Sequence, residues 1–139
     1  MTKLLDPKIV AQNYSSAFVE CNGSFGQNLP EEWDYCYDLV RNDPINAIAL
    51  VKELINVSNT ITDIDLKYKW IHYIAAGELE DLIADHGDVV INDMFLFACT
   101  GVWPRGRDTS DRVWVKFQNN VKFYLQQNTV VLDIYKKYR

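Results

Sequence analysis

His72, Glu78, Asp81, Asp85 and His86 are of the types that hold metals or move protons, and they fall within one short stretch of the chain. Asp81 and Asp85 are one helical turn apart, so they could present two carboxylates together for acid–base work or a cation. The two histidines stand 14 positions apart. Helical metal sites pair histidines at i, i+3 or i+4, so only the fold could bring these two together. The plain alternative is a solvated acidic helix face, with His86 at a helix end beside terminal carbonyls. Nucleophilic catalysis finds no support, because there is no Gly-x-Ser-x-Gly elbow and no cysteine near a histidine in sequence. The glycines at 23, 26, 101 and 106 match neither phosphate-loop nor dinucleotide spacing. No catalytic residue, metal or cofactor is therefore expected, and the chain reads as a non-enzyme.

A second constellation points to binding. Trp33, Tyr35 and Tyr37 alternate with Glu32, Asp34 and Asp38 just after Glu31, within a chain that is 13% aromatic. One helix cannot bury all three rings, so some aromatic and acidic surface is expected to face outward. Rings supply contact energy and carboxylates steer a basic partner, which is the composition of a protein-binding face. The alternative is tyrosine hydroxyls simply reaching water. The loop Trp103-Pro104-Arg105-Gly106-Arg107 could contact an anion, or pack its tryptophan and leave two solvated arginines.

Charge sorts the possible partners. The net charge is −5, but residues 30–99 carry −10 and residues 100–139 carry +5. A nucleic-acid binder needs a dominant basic surface, so that class is set aside. An acidic middle suits a basic protein partner, although acidic excess also serves solubility.

These residues must be positioned by helices. Asp6-Pro7 and Asn42-Asp43-Pro44 each read as a cap followed by proline at the first helical position. Leu29-Pro30-Glu31-Glu32 restarts a helix with acids in its first turn. Apolar residues recur at helical spacing to about Glu20, through Trp33, Cys36, Tyr37 and Val40, and from Ile45 to near Val57. Between the first two helices, residues 21–28 form a loop containing Phe25. A further helix is expected from about Asp63, with some strand character in its β-branched residues. Gly77 opens another that ends at His86-Gly87, with glycine free to take positive φ, and Asp88 caps the next. Asp108 or Ser110 starts one more, followed by a last apolar segment from Thr129 to Tyr138.

The expected fold is all-α, a compact bundle of about six to seven helices or stacked helical hairpins, in one domain over residues 1–139. At this length roughly two-thirds of the unfolded surface can be buried, so neither metal nor disulfide is needed for folding. The three cysteines, Cys21, Cys36 and Cys99, form no C-x-x-C pair and read as buried free thiols. Asp6 and Pro7 interrupt the apolar run a signal peptide would need, and no apolar run approaches the roughly 20 residues of a membrane span. A cytoplasmic protein is expected.

The run Ala75-Ala76-Gly77-Glu78-Leu79-Glu80-Asp81-Leu82, with His86-Gly87, Gly101-Val102-Trp103 and Val113-Trp114, resembles an uncharacterised bacterial family of small helical domains. The resemblance covers about a third of the chain and implies no activity. The functional expectation therefore rests on the residues: an acidic protein-binding domain, concretely an immunity or antitoxin-type protein that neutralises a basic toxin or effector domain. Its partner-binding residues would be Glu31, Glu32, Trp33, Asp34, Tyr35 and Asp38, with Glu78, Asp81 and Asp85. Two alternatives stand beside it: a small hydrolase or metal-dependent enzyme built on Asp81 to His86, and a domain that self-associates. Homo-oligomers fit either binding reading; nucleic acid and membrane do not.

Overall fold

The computed structural model describes residues 3–100, and within them the chain is helical with no strand. Helix α1 spans Pro7–Glu20, α2 Glu31–Asn42, α3 Pro44–Asn56, α4 Ile64–Ala76 and α5 Glu78–Thr100; a 3-10 turn, Val57–Thr60, follows α3. The helices expected after residue 100, and the Trp103–Arg107 loop, lie outside the described residues.

Local chemistry starts and stops these helices. Asp6 accepts a hydrogen bond from the Lys8 amide at 2.9 Å and Pro7 supplies a helical φ without needing a partner for an N–H. Asp43 caps α3 by accepting from the Asn46 amide, and Asp63 caps α4 by accepting from the amides of Asp65 and Leu66. Helix α2 has no side-chain cap; Glu31, Glu32 and Asp34 in its first turn complement the dipole instead. At the end of α1, Asn22 takes a φ of 55° while the Gly23 amide reaches Phe18 O and the Asn22 amide reaches Val19 O. This paired 6→1 and 5→2 closure satisfies the last carbonyls of α1.

Residues 64–76 are helix throughout, so the strand character of that segment is not realised. The stop expected at His86-Gly87 is a kink. Only His86 leaves helical geometry, at φ −136° and ψ 25°, and the helix continues through Gly87, which does not take positive φ.

Helix α3 is the central element and packs on α1, α2, α4 and α5. Its Ala47, Leu50, Val51 and Leu54 are fully buried. Against it sits an aromatic cluster of Tyr14, Phe18, Phe25 and Trp70, with edge-to-face contacts of 5.2 Å between Tyr14 and Trp70 and 5.3 Å between Phe18 and Trp70. The Trp70 indole N–H donates to the Leu54 carbonyl at 2.9 Å, so the largest buried ring leaves no polar atom unmet. The 21–28 loop is thus anchored by Phe25, which stacks on Tyr14. Cys36 is buried as expected, but Cys21 is exposed, because it caps α1 at the surface. The side chain of Cys99 lies outside the described residues. No helix among the described residues is long and apolar enough to cross a membrane.

Candidate functional site

Helix α2 packs beside α5, and between them, at the junction of α4 and α5, lies a cleft of about 240 Å³. Its walls come from Trp33, Tyr37 and Val40 on α2 and Tyr73 on α4; Gly77, Glu78 and Asp81 complete it. Two acidic segments some 45 residues apart in sequence, 31–38 and 78–85, are thereby brought to one place.

On α2, Trp33, Tyr37 and Arg41 recur every fourth residue and stack along one helix face. Trp33 and Tyr37 are 5.1 Å apart at an interplanar angle of 20°, and the Arg41 guanidinium carbon lies 4.2 Å from the Tyr37 ring centre. Tyr37 is 44% exposed, whereas Trp33 and Tyr35 are half-buried against the core. The Tyr35 hydroxyl accepts from the Leu5 amide at 3.0 Å, turning that ring toward the N-terminal segment. Glu31 and Asp34 are exposed, and Glu32 and Asp38 are half-buried, Asp38 accepting from the Asn42 amide group.

Glu78 is different from the other acids. It is 8% exposed, and its Oε1 lies 2.9 Å from the Tyr14 hydroxyl, which is itself 3.1 Å from the Tyr73 hydroxyl. A phenol has one proton, so Tyr14 donates to one neighbour and accepts from the other. Burial pushes the Glu78 carboxyl up to about 7, with the Asp81 charge adding to it. The backbone amide at Glu78 and the Tyr14 hydroxyl oppose that shift by hydrogen-bonding the charged form. Burial also raises the Tyr14 and Tyr73 hydroxyls and the Cys36 thiol, and the Glu78 charge adds to all three. Asp81 is raised by burial and by Asp85, against the Arg41 guanidinium, which lowers it.

Asp81 therefore borders the cleft, Asp85 is exposed one turn further on, and Glu78 forms the floor rather than the surface. His86 is turned away to α2, where its Nε2–H donates to the Arg41 carbonyl at 3.0 Å. It thus meets a terminal carbonyl, though of α2 rather than of its own helix. His72 borders a separate, broad depression with Gly23, Asp65 and Lys69. Among the described residues no three His, Cys, Asp or Glu side chains converge as metal ligands would.

Sequence reasoning passed over Tyr14, Tyr73 and Arg41, and it counted Tyr37 among the rings of the acidic segment without including it in the partner-binding set. Tyr14 carried a signal, because a tyrosine on the apolar face of α1 must find a partner for its hydroxyl. The four-residue spacing of Trp33, Tyr37 and Arg41 was a second. The chain matches no family model, no curated protein and no solved structure.

Proposed function

We propose that this is a non-enzymatic protein-binding domain whose α2–α5 face takes a basic protein, most concretely as a cytoplasmic immunity or antitoxin-type protein that occludes a toxin domain. One observation carries the reading: Trp33 and Tyr37 from one acidic segment and Glu78 and Asp81 from the other line a single cleft. Aromatic contact area surrounded by carboxylates is suited to anchoring a cationic surface and accelerating its approach. The test is affinity capture from the host at low and then moderate salt, repeated with Glu31, Glu32, Asp34 and Asp38 changed to Gln or Asn. A basic protein retained by the native chain, weakened by salt and lost from the variant supports the reading. Undiminished binding by the variant overturns the proposed face.

The enzyme reading centred on Asp81, Asp85 and His86 draws on one observation, the Glu78 carboxyl poised about 7 at the floor of a cleft, where a proton donor or acceptor works best. A thermal-shift screen with divalent metals separates it from the binding reading, since a ligand of the native state raises Tm.

A further inference from the structure

On the acidic face the cleft has both a floor and walls. Glu78 is more than nine-tenths buried, yet it borders the cleft, where the Tyr14 hydroxyl holds its Oε1. Asp81 stands one turn above on the same helix, and the Trp33 and Tyr37 rings form the opposite wall. The α2 ladder already displays the chemistry such a wall favours. The Arg41 guanidinium lies 4.2 Å over the Tyr37 ring and close enough to Asp81 to stabilise its charge. The other two members of that ladder, Trp33 and Tyr37, line the cleft with Glu78 and Asp81.

We propose that this cleft is a socket for a single organic cation, the guanidinium or ammonium of an Arg or Lys side chain, seated between the Trp33 ring and the carboxylates of Glu78 and Asp81. The inference rests on the basic-partner reading and names the group of the partner that enters. A volume of about 240 Å³ admits one long side chain and not a helix or a strand. Binding is coupled to a proton: the cation requires ionised Glu78, so the carboxyl proton passes to solvent as the cation enters. The titratable and charged groups set around Glu78 are Tyr14 of α1, Glu32, Cys36 and Arg41 of α2, Tyr73 of α4, and Asp81 and Asp85 of α5. Tyr14, Tyr73 and Cys36 are all pushed upward and stay protonated at neutral pH, which leaves the two raised carboxyls to carry the pH dependence, Glu78 foremost as the more deeply buried.

The probes are N-acetyl-arginine amide and N-acetyl-lysine amide, with N-acetyl-citrulline amide as the uncharged isostere of arginine. Binding is read from the Trp33 indole N–H resonance, assigned by its loss in Trp33→Phe, at pH 6 and pH 8. A saturable shift with one or both cations, absent with citrulline and about tenfold tighter at pH 8, is expected from ionisation of a group near neutrality. Glu78→Gln keeps the shape and the Tyr14 contact and should weaken the cation by about tenfold or more, removing most of the pH dependence. Equal response to citrulline, or no saturable shift at either pH, overturns the socket without needing any variant. The two readings fail separately. If arginine amide binds but the host yields no basic partner, the socket stands and the partner reading falls. If capture depends on the residue 31–38 acids while the amides do not bind, the socket falls alone.

Discussion

The Tyr14 hydroxyl and the Glu78 carboxylate meet at 2.9 Å across 64 residues of sequence, tying the first helix to the start of the last described one. The bond places a titratable acid where burial would otherwise exclude it, and most of the testable behaviour of this protein follows from that position.

Glu78→Gln should change how stability depends on pH. The Glu78 carboxyl is raised from 4.5 to about 7 on folding, so between these values the folded chain holds a proton that the unfolded chain has lost. Its contribution is fully present below about pH 4.5 and is lost as pH rises through about 7. The advantage of Gln over Glu should therefore grow by roughly 3 kcal/mol between pH 4.5 and pH 8. Urea unfolding of both proteins at four pH values across that range checks it; parallel curves would place the titrating group elsewhere.

Tyr14→Phe removes the donor that steadies the ionised carboxylate. The loss should be about 1 kcal/mol at pH 5, where Glu78 is protonated, and roughly 2 kcal/mol at pH 8, where the bond is charge-assisted. Thermal melts at the two pH values measure the difference; a simple cavity effect would be equal at both.

Gly23→Ala should cost about 1–2 kcal/mol. Gly23 has a φ of +85°, and an added Cβ would lie 2.7 Å from Lys69 Cδ, at the contact between the α1 exit and α4. Lys69→Ala in the same chain should recover only the steric part, leaving the backbone penalty, so the double variant should remain less stable than Lys69→Ala alone.

The two described cysteines should differ in reactivity. Cys21 is exposed, whereas Cys36 is fully buried and its thiol is pushed up by burial and by the charges of Glu78 and Glu32. Peptide mapping after brief treatment of the native protein with a thiol reagent at pH 8 should find label on Cys21 and none on Cys36. Label on Cys36 before unfolding would contradict the α2–α3–α5 packing.

What the sequence made legible was local. Asp6-Pro7, Asp43-Pro44 and Asp63 announce helix starts because capping is decided within four residues, and each acts in the structure as its position implies. His86-Gly87 was legible as an interruption but not as its kind. Whether a helix ends or bends there depends on what receives the imidazole, and Arg41 O belongs to another helix. Glu78 was the hardest to place. Its neighbours Glu80 and Asp81 made it look like one of three first-turn acids, and nothing nearby indicated that Tyr14, Tyr73 and Cys36 would surround it. The acids of 31–38 were recognisable as a set, and so was Asp81, but that the rings set among those acids share a cleft with Asp81 is a property of how α2 and α5 pack on α3.

The bond from His86 to the Arg41 carbonyl has a bearing on which lengths of this chain can vary. Arg41 lies one residue before the end of α2, and the sole non-helical residue of α5 is the one that grips it. One residue inserted within α2 would rotate that carbonyl by about 100° around the helix axis and release the imidazole. The same insertion would break the four-residue rhythm of Trp33, Tyr37 and Arg41. An insertion at Gly26, where an added Cβ would meet open space, disturbs neither. The spacer before α2 can thus drift in length, whereas α2 itself acts as a ruler whose last carbonyls set the course of the chain beyond the bend.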